Sequence, residues 1–222
     1  MFAILMKFSQ RKYLERFRRG FVYMNPLSHF SRFESNDLLR SDRFEGTNRI
    51  IQPQHAELTF THPIVGRFRG GPSDFAGPIK FRANSTACNV YCMYSVTKPV
   101  ASEPVDTRNF GFGDSFVLVL NTQAFVDRFF RAVNAYGLAG RGALVEYYEA
   151  TQFSGATGTF RKPSTFAYQN EFRFAVWPGS GRVMELYVGS LVDITSEILP
   201  LFDVNHLVDF SADTLREFGL SM

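Results

Sequence analysis

Gln169, Glu171 and Arg173 are spaced two apart in the stretch FRKPSTFAYQNEFRFAV, residues 160–176, which is otherwise largely aromatic. From Phe166 onward Phe166, Tyr168, Asn170, Phe172 and Phe174 take one phase, and the amide, the carboxylate and the guanidinium take the other. A period of two predicts a half-buried strand, so the three polar groups project from one face. Two readings of that face stay open. It is a solvated surface with a Glu–Arg ion pair, or a pocket in which Glu171 is held for acid–base or charge-stabilising work with Gln169 beside it.

Other residues could join such a site. Tyr23 and Asn25 share a face of a short strand, residues 21–24, that stops at Asn25-Pro26. Ser95 and Thr97 share a face of the strand-like run CNVYCMYSVT. Asp42 and Glu45 sit in SDRFEG, an ordered loop that follows a short helix. Cys88 and Cys92 point to one face of their strand about 13 Å apart, too far for a disulfide, so both are expected to be reduced thiols. The four histidines, His29, His55, His62 and His206, form no metal-ligand spacing, and no metal is expected.

The elements that must position these groups read as follows. Ser9 caps a helix running to about Arg19, with Tyr13, Leu14 and Phe17 as its apolar stripe and Gly20 ending it. Residues 50–64 suggest a strand or hairpin, and 66–78 a Gly/Pro loop. Residues 98–113 form a long polar excursion, and 116–120 a buried strand. Asn121 or Thr122 then caps a helix carrying Phe125, Val126, Phe129, Phe130 and Val133, closed by Gly137–Gly142. Residues 143–148 form a strand and 151–159 a loop. The turn 178–181 leads into 183–188, read as the hairpin partner of the Glu171 strand. A short helix from Thr195 or Ser196 and a strand over 207–210 complete the chain. This order predicts an α+β fold, with 1–222 a single domain and residues 1–20 a basic helix packed on it.

Composition narrows the function classes. Of 222 residues 25 are Phe, most at core spacing. The run 2–6 is too short to span a membrane and lacks a cleavage site, so the expectation is a cytoplasmic protein with no membrane partner. Residues 1–50 hold ten Lys/Arg and five acids in a chain of net charge +3. Lys7, Arg11, Lys12, Arg16, Arg18 and Arg19 are the densest part. That bias fits a polyanionic partner, nucleic acid or acidic protein, and equally a solvated helix face. Gly111-Phe112-Gly113 and Gly179-Ser180-Gly181 lack the further glycines of a dinucleotide or phosphate loop, and no Gly-x-Ser-x-Gly occurs.

Gln169-Asn170-Glu171 resembles the Q/E-x-E motif that carries the catalytic glutamate of ADP-ribosyltransferases, and the preceding FRKPSTFAY resembles the mobile loop ahead of it. Tyr94-Ser95-Val96-Thr97 is similar to the family's Ser-x-Ser/Thr strand. GFVYMNP, DRFEG, the Cys-containing strand and Tyr168-x-x-Glu171-x-Arg173 together resemble a bacterial and phage-associated branch that includes toxins of phage-defence systems. The likeness runs over residues 12–190. It implies a split β-sheet core and NAD as substrate, with Glu171 and Gln169 catalytic and Tyr23, Asn25, Asp42, Glu45, Ser95, Thr97 and Arg173 around the cofactor. In this role Glu171 stabilises the oxocarbenium-like ribose, while Arg173 keeps it ionised or binds pyrophosphate. Tyr23 and Asn25 stand where the family has Arg or His. The resemblance also implies an antitoxin partner, and the basic N-terminus favours an RNA acceptor over DNA or protein. The alternatives are ADP-ribosylation of a protein, a non-enzymatic RNA- or protein-binding module, and a glycosidase or nuclease using Asp42, Glu45 and Glu171.

Overall fold

A computed structural model of the chain describes residues 4–30, 44–64, 66–82, 88–97 and 104–207. The apolar run that opens ILMKFS makes the first strand, β1 (Ile4–Ser9), whose Leu5 and Met6 are fully buried on opposite faces. The basic helix is therefore shorter than the sequence suggested. Helix α1 (Arg11–Arg18) starts after Gln10, which makes no side-chain cap bond; Ser9 ends the strand and Lys7 lies within it. Leu14 and Phe17 bury the helix, whereas Tyr13 stays 54 % exposed. Gly20 (φ +98°) turns the chain into β2 (Phe21–Pro26), and a Cβ there would meet the Gly189 carbonyl at 2.2 Å, so only glycine fits.

There follow α2 (Leu27–Phe30), β3 (Arg49–Ile51), a hairpin of β4 (Leu58–His62) and β5 (Gly66–Gly70), then β6 (Ile79–Phe81) and β7 (Asn89–Val96). After these come β8 (Ser115–Val119), α3 (Thr122–Ala135), β9 (Ala139–Leu144), β10 (Glu146–Tyr148), β11 (Gly155–Ala156), β12 (Arg161–Pro163) and β13 (Glu171–Trp177). The described chain ends with β14 (Met184–Tyr187), β15 (Leu199–Pro200) and α4 (Val204–Leu207). The result is a mixed α+β fold. Among the described residues the strands pair antiparallel except β10 with β12.

Strand β7 is the centre of the large sheet. One of its edges is covered by β13, which pairs β9 in turn. The other edge is shared by two strands. β1 pairs its C-terminal end (Ile4 with Val96, Leu5 with Ser95, Met6 with Tyr94), and β2 pairs its N-terminal end (Asn25 with Val90, Pro26 with Asn89). Between them no strand among the described residues pairs with 91–93 on that edge, and the sheet opens there. β8 and β15 extend the β1 side and β14 extends the β2 side.

One face of the sheet packs on α1 and α3 through Leu14, Phe17, Phe125, Phe129 and Val133 against Tyr91, Met93, Phe174 and Leu186. Asn121 caps α3, its side chain accepting from the Ala124 N–H. The opposite face holds Met6, Phe8, Tyr94, Phe116 and Leu118 at one end and Leu27, Cys88, Val90 and Ala175 at the other.

Several local expectations change. Residues 66–70 are strand rather than loop, and 139–142 belong to β9. β14 pairs β2, not the Glu171 strand, because both edges of β13 are already occupied by β7 and β9. No helix starts at Thr195 or Ser196: Thr195 bridges Val119, and the Ser196 hydroxyl accepts from the Leu118 N–H. Of the strand expected over 207–210, Leu207 ends α4 and the rest lies outside the described residues.

Candidate active site

The strand carrying Glu171 begins at Glu171 itself. Residues 164–169 form a single 3₁₀ segment, and Asn170 takes the left-handed conformation (φ 38°) that asparagine tolerates better than most residues. Gln169 is thus on a turn and not on the strand face. It nevertheless reaches the same place, because Lys162 joins the two: its ammonium donates to Gln169 Oε1 at 2.9 Å and to Glu171 Oε2 at 2.7 Å. Arg173 Nε donates to Glu171 Oε1 at 2.6 Å. The far side of the guanidinium binds both oxygens of Glu45, at 2.7 and 3.0 Å, and Nη1 also donates to the Thr159 carbonyl.

The result is a buried chain of alternating charge, Lys162–Glu171–Arg173–Glu45, with two carboxylates and two cations. Side-chain exposure is 10 % for Lys162, 4 % for Glu171 and 1 % for both Arg173 and Glu45. The solvated-face reading is therefore wrong for this stretch. Burial alone would raise the Glu171 carboxyl, but Arg173 and Lys162 outweigh it and hold the group well below the usual carboxylate range. Burial would also lower Lys162, yet Glu171 beside it leaves the ammonium raised. The Glu171 backbone N–H donates to the Tyr147 hydroxyl at 2.9 Å. Cys92 on β7, paired with Arg173 on β13, has its thiol pushed up by burial to about 12, which makes it an inert neighbour and not a nucleophile.

These linkages set a pH window. The lowered Glu171 contributes stability above its unfolded pKa, about 4.3, and loses it as pH falls through the depressed folded value. The raised Lys162 contributes below about 10.4 and loses it at higher pH. Urea midpoints are expected to stay level between about pH 5 and pH 10 as far as this cluster is concerned, and to fall in acid more steeply than those of a variant lacking both Lys162 and Glu171. Equal acid slopes in the two proteins would contradict that.

A cleft of about 880 Å³ opens at the gap between β1 and β2. Leu14, Phe17 and Tyr91 border it on the helix face of the sheet, and Val90, Cys92, Lys162, Gln169 and Glu171 on the other. Tyr23, Asn25 and Phe30 line the β2 side, Lys7, Phe8 and Phe112 the β1 side. Lys7 donates to the Cys92 carbonyl at 2.7 Å, meeting an acceptor that the open edge of β7 leaves without a strand partner, and its ammonium lies 4.5 Å from the Tyr91 ring centre. Aromatic walls with few polar groups at the base are the general form of a small-molecule site.

The sequence-predicted residues divide accordingly. Glu171, Gln169, Tyr23 and Asn25 meet in the cleft. Arg173 lies behind Glu171 with its donors engaged, so it holds the carboxylate and cannot reach a pyrophosphate. Glu45 is likewise committed to Arg173 and is not available to ribose hydroxyls. Asp42 lies outside the described residues. Ser95 pairs Leu5, while Glu171 pairs Tyr94; neighbours along a strand alternate faces, so Ser95 points away from Glu171 into the helix-side core. Thr97 follows the last residue of β7, half-exposed beyond the cleft.

The Ser95 hydroxyl is 1 % exposed as a residue and has no hydrogen-bond partner among the described residues. Ser95→Ala is expected to leave ligand affinity in the cleft unchanged and to raise stability by about 1 kcal/mol, since it removes a buried hydroxyl that gains nothing. Thermal denaturation with calorimetric titration checks both. A drop in NAD affinity would return the Ser-x-Thr strand to the site.

Sequence reasoning missed Lys162. It lies in the stretch read as a mobile loop, and only the parallel pairing of β12 with β10 turns Arg161 outward to Glu146 and Lys162 inward. Among the described residues no group of three or more His, Cys, Asp or Glu is placed to hold a metal ion, and no helix is long and apolar enough to cross a membrane. No protein-family model, curated protein or solved structure gives a significant match to the chain.

Proposed function

We propose that the protein is an NAD-dependent ADP-ribosyltransferase whose catalytic carboxylate is Glu171. The observation that carries this reading is an ionised carboxylate, fixed from behind by Arg173 and from the side by Lys162, at the wall of an aromatic cleft that opens where the sheet splits. In the reaction the C–N bond between nicotinamide and ribose breaks, and its electron pair leaves with nicotinamide. Positive charge develops at the ribose carbon, and the acceptor nucleophile then bonds there and loses its proton. A fixed carboxylate beside that carbon stabilises the charge without reorganising, and a cleft walled by rings excludes water and accommodates the departing planar base. Gln169, held by Lys162, orients the acceptor.

The split-sheet ADP-ribosyltransferase fold is the framework of this proposal. The two strands that share one edge of β7 support it, as does the order of β2, β7 and β13 along the chain. A glycosidase using Glu45 with Glu171 fits less well, because both Glu45 oxygens are bound to Arg173 behind the cleft wall. On this reading the protein acts as a toxin on a nucleic acid, RNA before DNA, and its partner is a protein antitoxin that blocks the cleft.

The test is release of nicotinamide from NAD together with transfer of adenylate-labelled ADP-ribose into a cell lysate, with the products then split by nuclease or protease. Label removed by nuclease is the expected result. Protease-sensitive label would move the acceptor to protein, and no nicotinamide release with any acceptor would overturn the proposal.

A further inference from the structure

Beside the mouth of the cleft lies a surface that the cleft itself does not require. On the solvent face of β2 and β14, Phe21 is paired with Tyr187 and Tyr23 with Glu185. Tyr23 and Tyr187 are each 54 % exposed, although their in-between neighbours Val22, Met24 and Leu186 are fully buried. The strand pair therefore has a conventional core side and an aromatic side left open. The Phe21 and Tyr187 rings meet at 5.2 Å between centres. Diagonal neighbours on an antiparallel pair stand about 7–8 Å apart, so Tyr23 and Tyr187 are within reach of consecutive groups of one ligand. Helix α1 frames this surface. Arg16 lies over Phe21 at 5.2 Å while its Nη2 donates to both oxygens of Glu185, and Lys12 lies over the Tyr13 ring at 4.9 Å.

We propose that this surface binds single-stranded nucleic acid, with unpaired bases stacked on Tyr187 and Tyr23 and the backbone running along α1. The inference rests on the transferase reading for its purpose, since it places an acceptor strand at the cleft mouth, but not for its evidence. Exposed aromatic faces beside cations are what unstacked bases and their phosphates require, and every base has a face to offer. An acidic peptide is the weaker fit. Arg11, Arg16 and Arg18 are already matched by Glu15, Glu185 and Glu197, so the helix presents less net positive charge than its composition suggests. What remains distinctive is rings. A duplex, whose bases are already stacked, cannot use them.

Fluorescence anisotropy with a labelled 12-nucleotide RNA, an abasic strand of equal length and a duplex, all without NAD, tests the proposal. The single strand is expected to bind at least tenfold tighter than the other two. Its salt slope is expected to be shallow, about 0.7 for each phosphate contact and no more than two contacts. Tyr187→Thr keeps a strand-forming residue and is expected to weaken binding about tenfold. Tyr187→Trp is expected to retain or improve it, which separates stacking from a packing defect. Neither change touches a residue lining the cleft, so nicotinamide release is expected to be unchanged in both. Abasic and normal strands binding alike, Tyr187→Thr binding as wild type, or competition by NAD at one-to-one stoichiometry would each overturn the proposal. So would polyglutamate binding as tightly as RNA, which would point to an acidic protein instead. Because binding is read without the cofactor, a protein that holds RNA but releases no nicotinamide sinks only the transferase reading, and the reverse result sinks only this one.

Discussion

Glu171→Gln is expected to abolish transfer, with at least a hundredfold fall in rate, about 3 kcal/mol of lost transition-state stabilisation. The change is nearly isosteric, but the site makes it more than a deletion of one catalytic charge. Lys162 and Arg173 are both buried against Glu171, and the variant leaves those two cations facing Glu45 alone. An uncompensated buried charge costs about 3–5 kcal/mol, so part of any activity loss would come from unfolding. A second variant separates the effects. Glu171→Gln combined with Lys162→Met removes one charge of each sign and keeps the long lysine stem, so the cluster returns to a single pair of Arg173 with Glu45. The double variant is expected to regain most of the lost stability while remaining inactive. Rates normalised to the folded fraction, measured by near-UV circular dichroism, decide the matter. Recovery of transfer along with stability would mean that Glu171 is a structural ion and the catalytic group lies elsewhere.

How far the sequence disclosed this site can be traced residue by residue. The period of two after residue 170 located β13 and placed Glu171 and Arg173 on one face, since alternation follows directly from strand geometry. The same rule misplaced Gln169, because a left-handed Asn170 interrupts the strand just where the period of two continues in the sequence. Ser95 and Thr97 were matched by type and spacing, but which face of β7 they occupy depends on pairing with β1, a long-range fact that local pattern does not contain. β1 itself was hidden because six residues that begin with a hydrophobic run and end in Ser9 carry no turn signal. Lys162 had no signal at all. A lysine between arginine and proline reads as loop surface, and only its pairing beside β10 takes it inside. The Phe-rich helix α3 was the most legible element, since its apolar spacing and its Asn121 cap are both local.

Arg173→Lys is expected to cost more stability than any conservative change on the surface, about 3–5 kcal/mol, or a fall in Tm of roughly 10 °C for a chain of this size. The reason is geometric. The guanidinium makes its bonds in three directions: Nε to Glu171, the outer nitrogens as a fork to Glu45, and Nη1 to the Thr159 carbonyl. A lysine ammonium keeps the charge but is a point donor on a flexible stem, and it cannot bridge two carboxylates lying on opposite sides of a planar fork. At least one buried carboxylate would lose its partner. The consequences run outward in two directions. Glu45 lies in the turn that leads into β3, Thr159 precedes β12, and the arginine ties both to β13, so limited proteolysis of the variant is expected to cut first between residues 44 and 48 or near 159. On the cleft side Glu171 keeps Lys162 but loses its fixed position, which predicts a fall in turnover larger than the fall in NAD affinity. A variant with wild-type Tm, or one that loses affinity and not turnover, would mean that Arg173 meets the ligand directly instead of holding the carboxylate that does.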